Sequence, residues 1–155
     1  MLKFDYFNKV WKVQDDTAFT QDFLYYSSIV NLPKGLGMFI MGGTDVDENF
    51  SRRVLLFSKY HRFYEKPPMI VKRAFFPSVF SIFDSSVYVL GGQDGQSDIA
   101  TCEKYNITEN SWRVIKPMLI PRNGASAICF EKVIFVFCGM NEELGVLDEI
   151  EKYSL

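Results

Sequence analysis

Short apolar runs, each closed by glycine, proline or a polar pair, follow one another along this chain. In its clearest stretch Gly124 to Phe130 is one such run, Glu131-Lys132 a tight polar turn, and Val133 to Phe137 a second run. A continuous apolar run of that length suits a strand covered on both faces, so the pair predicts a hairpin. Upstream, Ile99 to Tyr105 leads through the turn-rich Asn106 to Asn110 into Trp112 to Ile115, and Pro117 stops the last of these. No segment sustains a 3.6-residue apolar period with capping residues, so helices should be few. The pattern predicts an all-β chain.

The runs recur. VYVLGG at 87–92 returns as MFIMGG at 38–43 and as IFVFCG at 134–139, which puts the second glycine at Gly43, Gly92 and Gly139. Phe4, Phe57, Tyr105 and Tyr153 keep the same beat, and seven residues after the first three stand Trp11, Tyr64 and Trp112. Glu103-Lys104-Tyr105 returns as Glu151-Lys152-Tyr153, and Pro68-Met69 with Arg73 returns as Pro117-Met118 with Arg122. Self-similarity at this period signals a repeat architecture. Each unit reads as four short strands, with bounds 1–21 (two outer strands and a linker), 22–68, 69–117 and 118–155, the last lacking its fourth strand. An evenly spaced β-sandwich is the competing reading. The doublets Gly42-Gly43 and Gly91-Gly92 fall where a buried strand ends and the backbone must bend, a place glycine suits through its freedom at positive φ. Cys138 stands in place of the first glycine in the last unit. The aromatic landmarks are expected to fill the wedge between units rather than to stack on a ligand.

Composition narrows the functional classes. Residues are 48% hydrophobic and 16% aromatic, enough for a real core and biased toward pleated surfaces. The net charge of −2 argues against a nucleic-acid binder. The N-terminal MLKFDYFNKVWKV lacks the apolar core of a signal peptide or membrane span, which points to the cytosol and to no membrane partner. Cys102, Cys129 and Cys138 have no metal-binding spacing and are expected to be buried thiols.

Glycine doublet, Tyr and Trp at this spacing resemble the kelch repeat, and Gly91 to Gly139 looks like a complete member. The resemblance is weaker over Met38–Tyr64 and weakest before Gly42, where about four residues are inserted and the arginine is missing. It implies a kelch-type β-propeller of four-stranded antiparallel blades, here an incomplete ring of about three blades and thirteen strands. Either further blades or domains belong to a longer chain, or a partner completes the ring. The terminal faces would then expose apolar residues and favour self-association; closure through Phe4 to Val13 joining the last blade is the alternative.

The resemblance also implies a non-catalytic protein-interaction module, a scaffold or adaptor that binds a protein partner through loops and needs no cofactor. A fragment of a kelch-like oxidase, isomerase or lyase is the other class. Phosphate-loop, nucleophile-elbow and zinc-protease motifs are absent, and the single histidine, His61, falls in a turn. The candidate binding residues are therefore on loops: Asp45 and Asp47 in TDVDEN, Gln93 and Asp94 in QDGQSD, and the segment 141–144. Asp45, Asp47 and Glu48 lack the rest of a calcium-loop pattern. Arg73 and Arg122, with Asn123 beside the latter, could contact an acidic peptide, as the resemblance implies, or brace the adjoining blade through backbone carbonyls.

Overall fold

Val, Ile, Phe and Tyr crowd the short runs, and residues of this shape pack well on a pleated sheet. The computed structural model describes residues 2–5, 8–13 and 24–155. It opens on the hairpin β1 (Leu2–Asp5) and β2 (Val10–Val13), with Phe4 opposite Trp11. The expected linker to residue 21 lies largely outside the described residues. Blade 1 comprises β3 (Ser28–Leu32), β4 (Gly37–Met41), β5 (Val54–Phe57) and β6 (Phe63–Lys66), paired antiparallel in chain order. Blade 2 repeats this with β7 (Ser78–Ser81), β8 (Ser86–Leu90), β9 (Cys102–Asn106) and β10 (Ser111–Ile115). In blade 3, β11 (Ser126–Phe130) and β12 (Val133–Phe137) are joined by β15 (Ile150–Ser154) alone. The loop between β12 and β15 forms its own ladder, β13 (Met140–Asn141) with β14 (Gly145–Val146), which the thirteen-strand expectation does not include. Among the described residues no ring closes: β1 and β2 form a separate sheet, and the last sheet ends at β15. The single helical element among them is one 3-10 turn, Pro33–Gly35.

The core lies between blades. Val30, Phe39, Met41 and Val54 of blade 1 meet Phe76, Val87, Val89 and Tyr105 on the near side of blade 2. Phe39 and Tyr105 touch edge to face at 5.4 Å, and Trp112 packs behind Tyr105 while its indole N–H donates to the Pro67 carbonyl. The far side of blade 2, with Val79, Tyr88, Leu90 and Cys102, meets Ile134 and Val136 of blade 3 with Ala125, Ala127 and Tyr153. Every residue of β8 is consequently buried, as a strand between two sheets must be.

Blade 3 departs from the sequence expectation on that point. Ile134 and Val136 of β12 are buried, but Val133, Phe135 and Phe137 on its other face are only half-buried. Beside them Ile128, Phe130 and Ile150 are exposed, because no further blade covers this side among the described residues. The same reason corrects the cysteines. Cys102 is buried and burial pushes its thiol pKa up, Cys129 is half-buried, and Cys138 is exposed.

The aromatic register also shifts by one. Trp112 stands opposite Tyr105, but Phe57 stands opposite Phe63, while Tyr64 faces Leu56 and is exposed. The turn before Phe63 is a residue shorter than that before Trp112, so equal sequence spacing placed Tyr64 where the ladder has Phe63. His61, exposed at positive φ, occupies that tight turn.

Both glycines of each doublet are required by geometry. Gly42 and Gly91 sit at φ of 60° and 61°, Gly43 and Gly92 at 98°. A Cβ on Gly42 would lie 2.3 Å from the Arg73 carbonyl oxygen, and one on Gly91 would lie 2.7 Å from that of Arg122. The space is taken by blade docking itself, since Gly43 N–H donates to the Arg73 carbonyl and Gly92 N–H to that of Arg122. Cys138 adopts the same left-handed conformation, φ 56°, in the unit that has no such neighbour among the described residues. An L-residue there costs about 1–2 kcal/mol. Gly91→Ala is therefore expected to lower unfolding free energy by at least about 2 kcal/mol, and Cys138→Gly to change it by less than about 1 kcal/mol. Urea denaturation followed by tryptophan fluorescence reads both, and equal effects would contradict the docking geometry.

Candidate functional site

Arg73 and Arg122 lie inside the protein. Each precedes the first strand of its blade, and each guanidinium turns back into that blade. Arg73 donates to the carbonyls of Gly91 and Thr101 and pairs with Glu103 at 2.6 Å, both side chains fully buried. Arg122 repeats the arrangement on Cys138, Glu149 and Glu151. The two carboxylates do a second thing, accepting from consecutive backbone N–H groups: Ile70 and Val71 for Glu103, Leu119 and Ile120 for Glu151. Each arginine is thus a clamp between the segment entering a blade and its third strand. Burial pulls the Arg73 pKa down and Glu103 opposes it. With no exposed surface, neither guanidinium is presented to a partner, and the bracing alternative describes their contacts.

Blade 1 replaces the whole device. The bridge Tyr25↔Thr44 corresponds to Ala74↔Gln93 and Asn123↔Met140, so Leu24 stands at the arginine position. Leu55, opposite Ile40, stands where Glu103 is opposite Val89 and Glu151 opposite Val136. Arginine and glutamate are both present or both exchanged for leucine, as expected for a buried pair in which either charge alone would be unpaired. That joint pattern was readable from the repeats, yet the glutamates were not singled out from sequence. Arg73→Leu and Glu103→Leu are each expected to cost roughly 3–5 kcal/mol. The double replacement, which copies blade 1, should cost much less than their sum, and a double-mutant cycle in urea measures the difference.

The loops after the second strand of each blade form one continuous surface. Phe50, at the end of the first loop, lies against Gly95 of the second, where a Cβ would come 2.9 Å from its ring. Asp98 closes the second loop onto the third: its carboxylate accepts from the Asn123 side-chain amide and from the Glu142 backbone N–H, both at 2.7 Å. Asn123 is therefore a half-buried linker between loops rather than a free contact; Asp98 and Glu142 fall within the loop segments named from sequence, and Phe50 is the member that reading missed. Asn141 shapes the third loop by accepting from the backbone of Glu143 and Leu144.

Each loop is also shaped internally by an acidic or amide side chain over its own backbone, the turn chemistry these residues favour. Asp45 accepts from the N–H groups of Asp47 and Asn49 and from the Asn49 side chain. Asp94 does the same for Gln96 and Ser97. The loop tips at 44–50, 93–98 and 140–147 carry Asp45, Asp47, Glu48, Asp94, Asp98, Glu142 and Glu143 and no lysine or arginine, with Val46 and Leu144 exposed among them, while Arg52 and Arg53 stand where the first loop returns to β5. Gln93, by contrast, is half-buried and bridges Ala74 and Asp98 through its backbone. Among the described residues no cluster of His, Cys, Asp and Glu is arranged to hold a metal ion, and no helix is long and apolar enough to cross a membrane.

Four-stranded antiparallel blades stacked face to face, with a glycine pair after the second strand of blades 1 and 2 that meets the next blade's backbone, are the repeating unit of a β-propeller. Residues 77–119, spanning blade 2, match the Kelch motif. The chain is 26% identical over 121 residues to human Kelch-like protein 38, an alignment covering 76% of this chain and 21% of that protein. It is also 26% identical over 106 residues to Kelch repeat and BTB domain-containing protein 2 of ectromelia virus, covering 68% and 19%, and over 80 residues to the cowpox virus (strain GRI-90) protein of that name, covering 52% and 14%. The matched region is about a fifth or less of each relative's length.

Asp45 provides a pH test of the loop surface. The Asn49 side chain, then the Asn49 and Asp47 backbone N–H groups, hold its carboxyl below the usual carboxylate value. A lowered folded-state pKa means that the ordering is complete above the ordinary carboxylate value and is lost as pH falls through the lower folded value. Backbone order parameters of Asp47 and Asn49 from nitrogen relaxation should drop over that acidic window, and in Asp45→Ala they should be low at every pH.

Proposed function

We propose that the chain is a non-catalytic protein-interaction module whose three contiguous loops form the binding face, with Asp45, Asp47, Asp94 and Glu143 as its acidic contacts. The observation that carries this reading is the linkage of the loops through Phe50–Gly95 and Asp98–Glu142, which makes three separate turns into one preordered surface. Preordering matters because a rigid loop loses less conformational entropy on binding. The surface suits a basic protein segment carrying apolar side chains that can meet Val46 and Leu144. Opposed charge speeds encounter and excludes acidic competitors. The names of the relatives, which join kelch repeats to a BTB domain in the viral proteins, support a role as the recognition part of a scaffold or adaptor. Arg73, Arg122 and Gln93 serve this face from below by fixing the strands and backbone that carry it.

The triple variant Asp47→Lys, Glu142→Lys, Glu143→Lys tests the reading. These side chains are exposed and take no part in the blade junctions, so its thermal unfolding should match that of the native chain. Captured proteins from cell extract should be bound by the native chain in a salt-sensitive way and largely lost by the variant. Identical capture by both would place binding elsewhere.

A further inference from the structure

Tyr26, Phe75 and Gly124 hold one place in the three blades, next to Tyr25, Ala74 and Asn123, whose bridges to Thr44, Gln93 and Met140 open the three loops. Backbone bonds join them in a row: the Phe75 N–H donates to the Tyr26 carbonyl and the Gly124 N–H to that of Phe75, at 3.3 and 2.8 Å. The row runs along the foot of the loop face. Its step from Phe75 to Gly124 crosses from blade 2 to blade 3, a junction formed wholly within the chain.

All three residues are left-handed, with φ of 57°, 56° and 62°. Glycine adopts that conformation freely, whereas a bulky residue in it is an outlier. Core packing does not account for the two rings. Phe75 is half-buried and belongs to neither core cluster, and Tyr26 is exposed. They stack on each other instead, with centroids 4.1 Å apart and planes inclined by 28°. Backbone strain kept by side chains that serve no core marks a functional place. At Gly124 the row has no third side chain, and a Cβ there would meet nothing within 4 Å. The place beside Phe75 is open.

Charge selects its occupant. Asn123, the neighbour of Gly124, donates its side-chain amide to Asp98, whose carboxylate is held by N–H groups and by no cation among the described residues. Glu142 and Glu143 follow in the third loop, exposed and just past the bridge from Asn123 to Met140. The face of an aromatic ring attracts a cation, and a planar guanidinium both stacks on the ring and pairs with carboxylates.

We propose that the step between Phe75 and Gly124 receives an arginine side chain of the basic partner segment, its guanidinium continuing the Tyr26–Phe75 stack and its N–H groups turned to the acidic loops. The inference rests on the loop face as the binding face and adds the residue that this face selects. Lysine fits less well, because its compact ammonium group offers no plane to stack.

The probe is a blocked pentapeptide with one arginine among glycines, titrated into the isotope-labelled native chain and followed by nuclear magnetic resonance. Saturating shifts of the Gly124 N–H and the Phe75 ring are expected at millimolar peptide, with affinity about threefold lower for the lysine peptide. The citrulline peptide, which keeps the shape without the charge, should bind at least about tenfold more weakly. Phe75→Leu removes the aromatic face and should weaken arginine binding about tenfold. Gly124→Phe should do the same by filling the place, and Tyr26 and Phe75 show that the position accepts an aromatic residue. Citrulline bound as tightly as arginine, or shifts that leave Phe75 and Gly124 unmoved, would overturn the proposal. So would unchanged arginine affinity in Gly124→Phe. The wider reading fails separately: it falls when the triple lysine variant captures as much protein from extract as the native chain. Capture lost by that variant but kept in full by Gly124→Phe sinks the arginine step alone.

Discussion

The fold depends on one backbone contact repeated at each blade junction. Gly43 N–H meets the Arg73 carbonyl and Gly92 N–H meets that of Arg122, and neither approach is open to a residue with a Cβ in the preceding position. This hydrogen bond sets the distance at which Phe39 reaches Tyr105 and Tyr88 reaches Tyr153. The arginine at its far end acts in two directions. Its carbonyl binds the previous blade while its guanidinium grips its own, so sheet pairing within a blade and docking between blades share a residue.

The loop surface inherits its rigidity from that arrangement. Each loop leaves the molecule directly after Gly43, Gly92 or Gly139 and returns just before the third strand, whose glutamate is held by the arginine in blades 2 and 3. Between fixed ends, Asp45, Asp94 and Asn141 fold the turns over their own backbone, and Asp98 ties two turns together. Acidic residues in this face thus have two uses, some holding loops and others facing solvent. The division cannot be told from charge alone.

Repeat period, strand number within each blade and the positive-φ glycines were legible because each follows from local sequence: apolar runs, turn residues, a doublet that recurs. What was not legible depends on contacts across the sheet or between blades. Tyr64 was displaced by Phe63 because a turn one residue shorter shifts the register, and spacing between landmarks does not reveal turn length. The half-covered face of β12 looks in sequence like the fully covered β8, since both are apolar runs. For the site, the acidic loops were found, but the joining of Phe50 to Gly95 and of Asp98 to Glu142 is long-range. The burial of Arg73 and Arg122 was left open because a lone arginine motif does not disclose that a glutamate two strands away completes it.

Cys138 gives the array a direction. At the first two junctions the corresponding glycine admits a neighbour's carbonyl, but at Cys138 a further blade approaching in the same way would bring that oxygen against a methylene group. Copies of this chain stacked head to tail in the geometry of the internal junctions would meet that contact, although blade 3 offers an apolar face among the described residues. A heterologous contact that does not close propagates into a filament. A single side chain at this turn sets the backbone step of such growth apart from the two internal junctions.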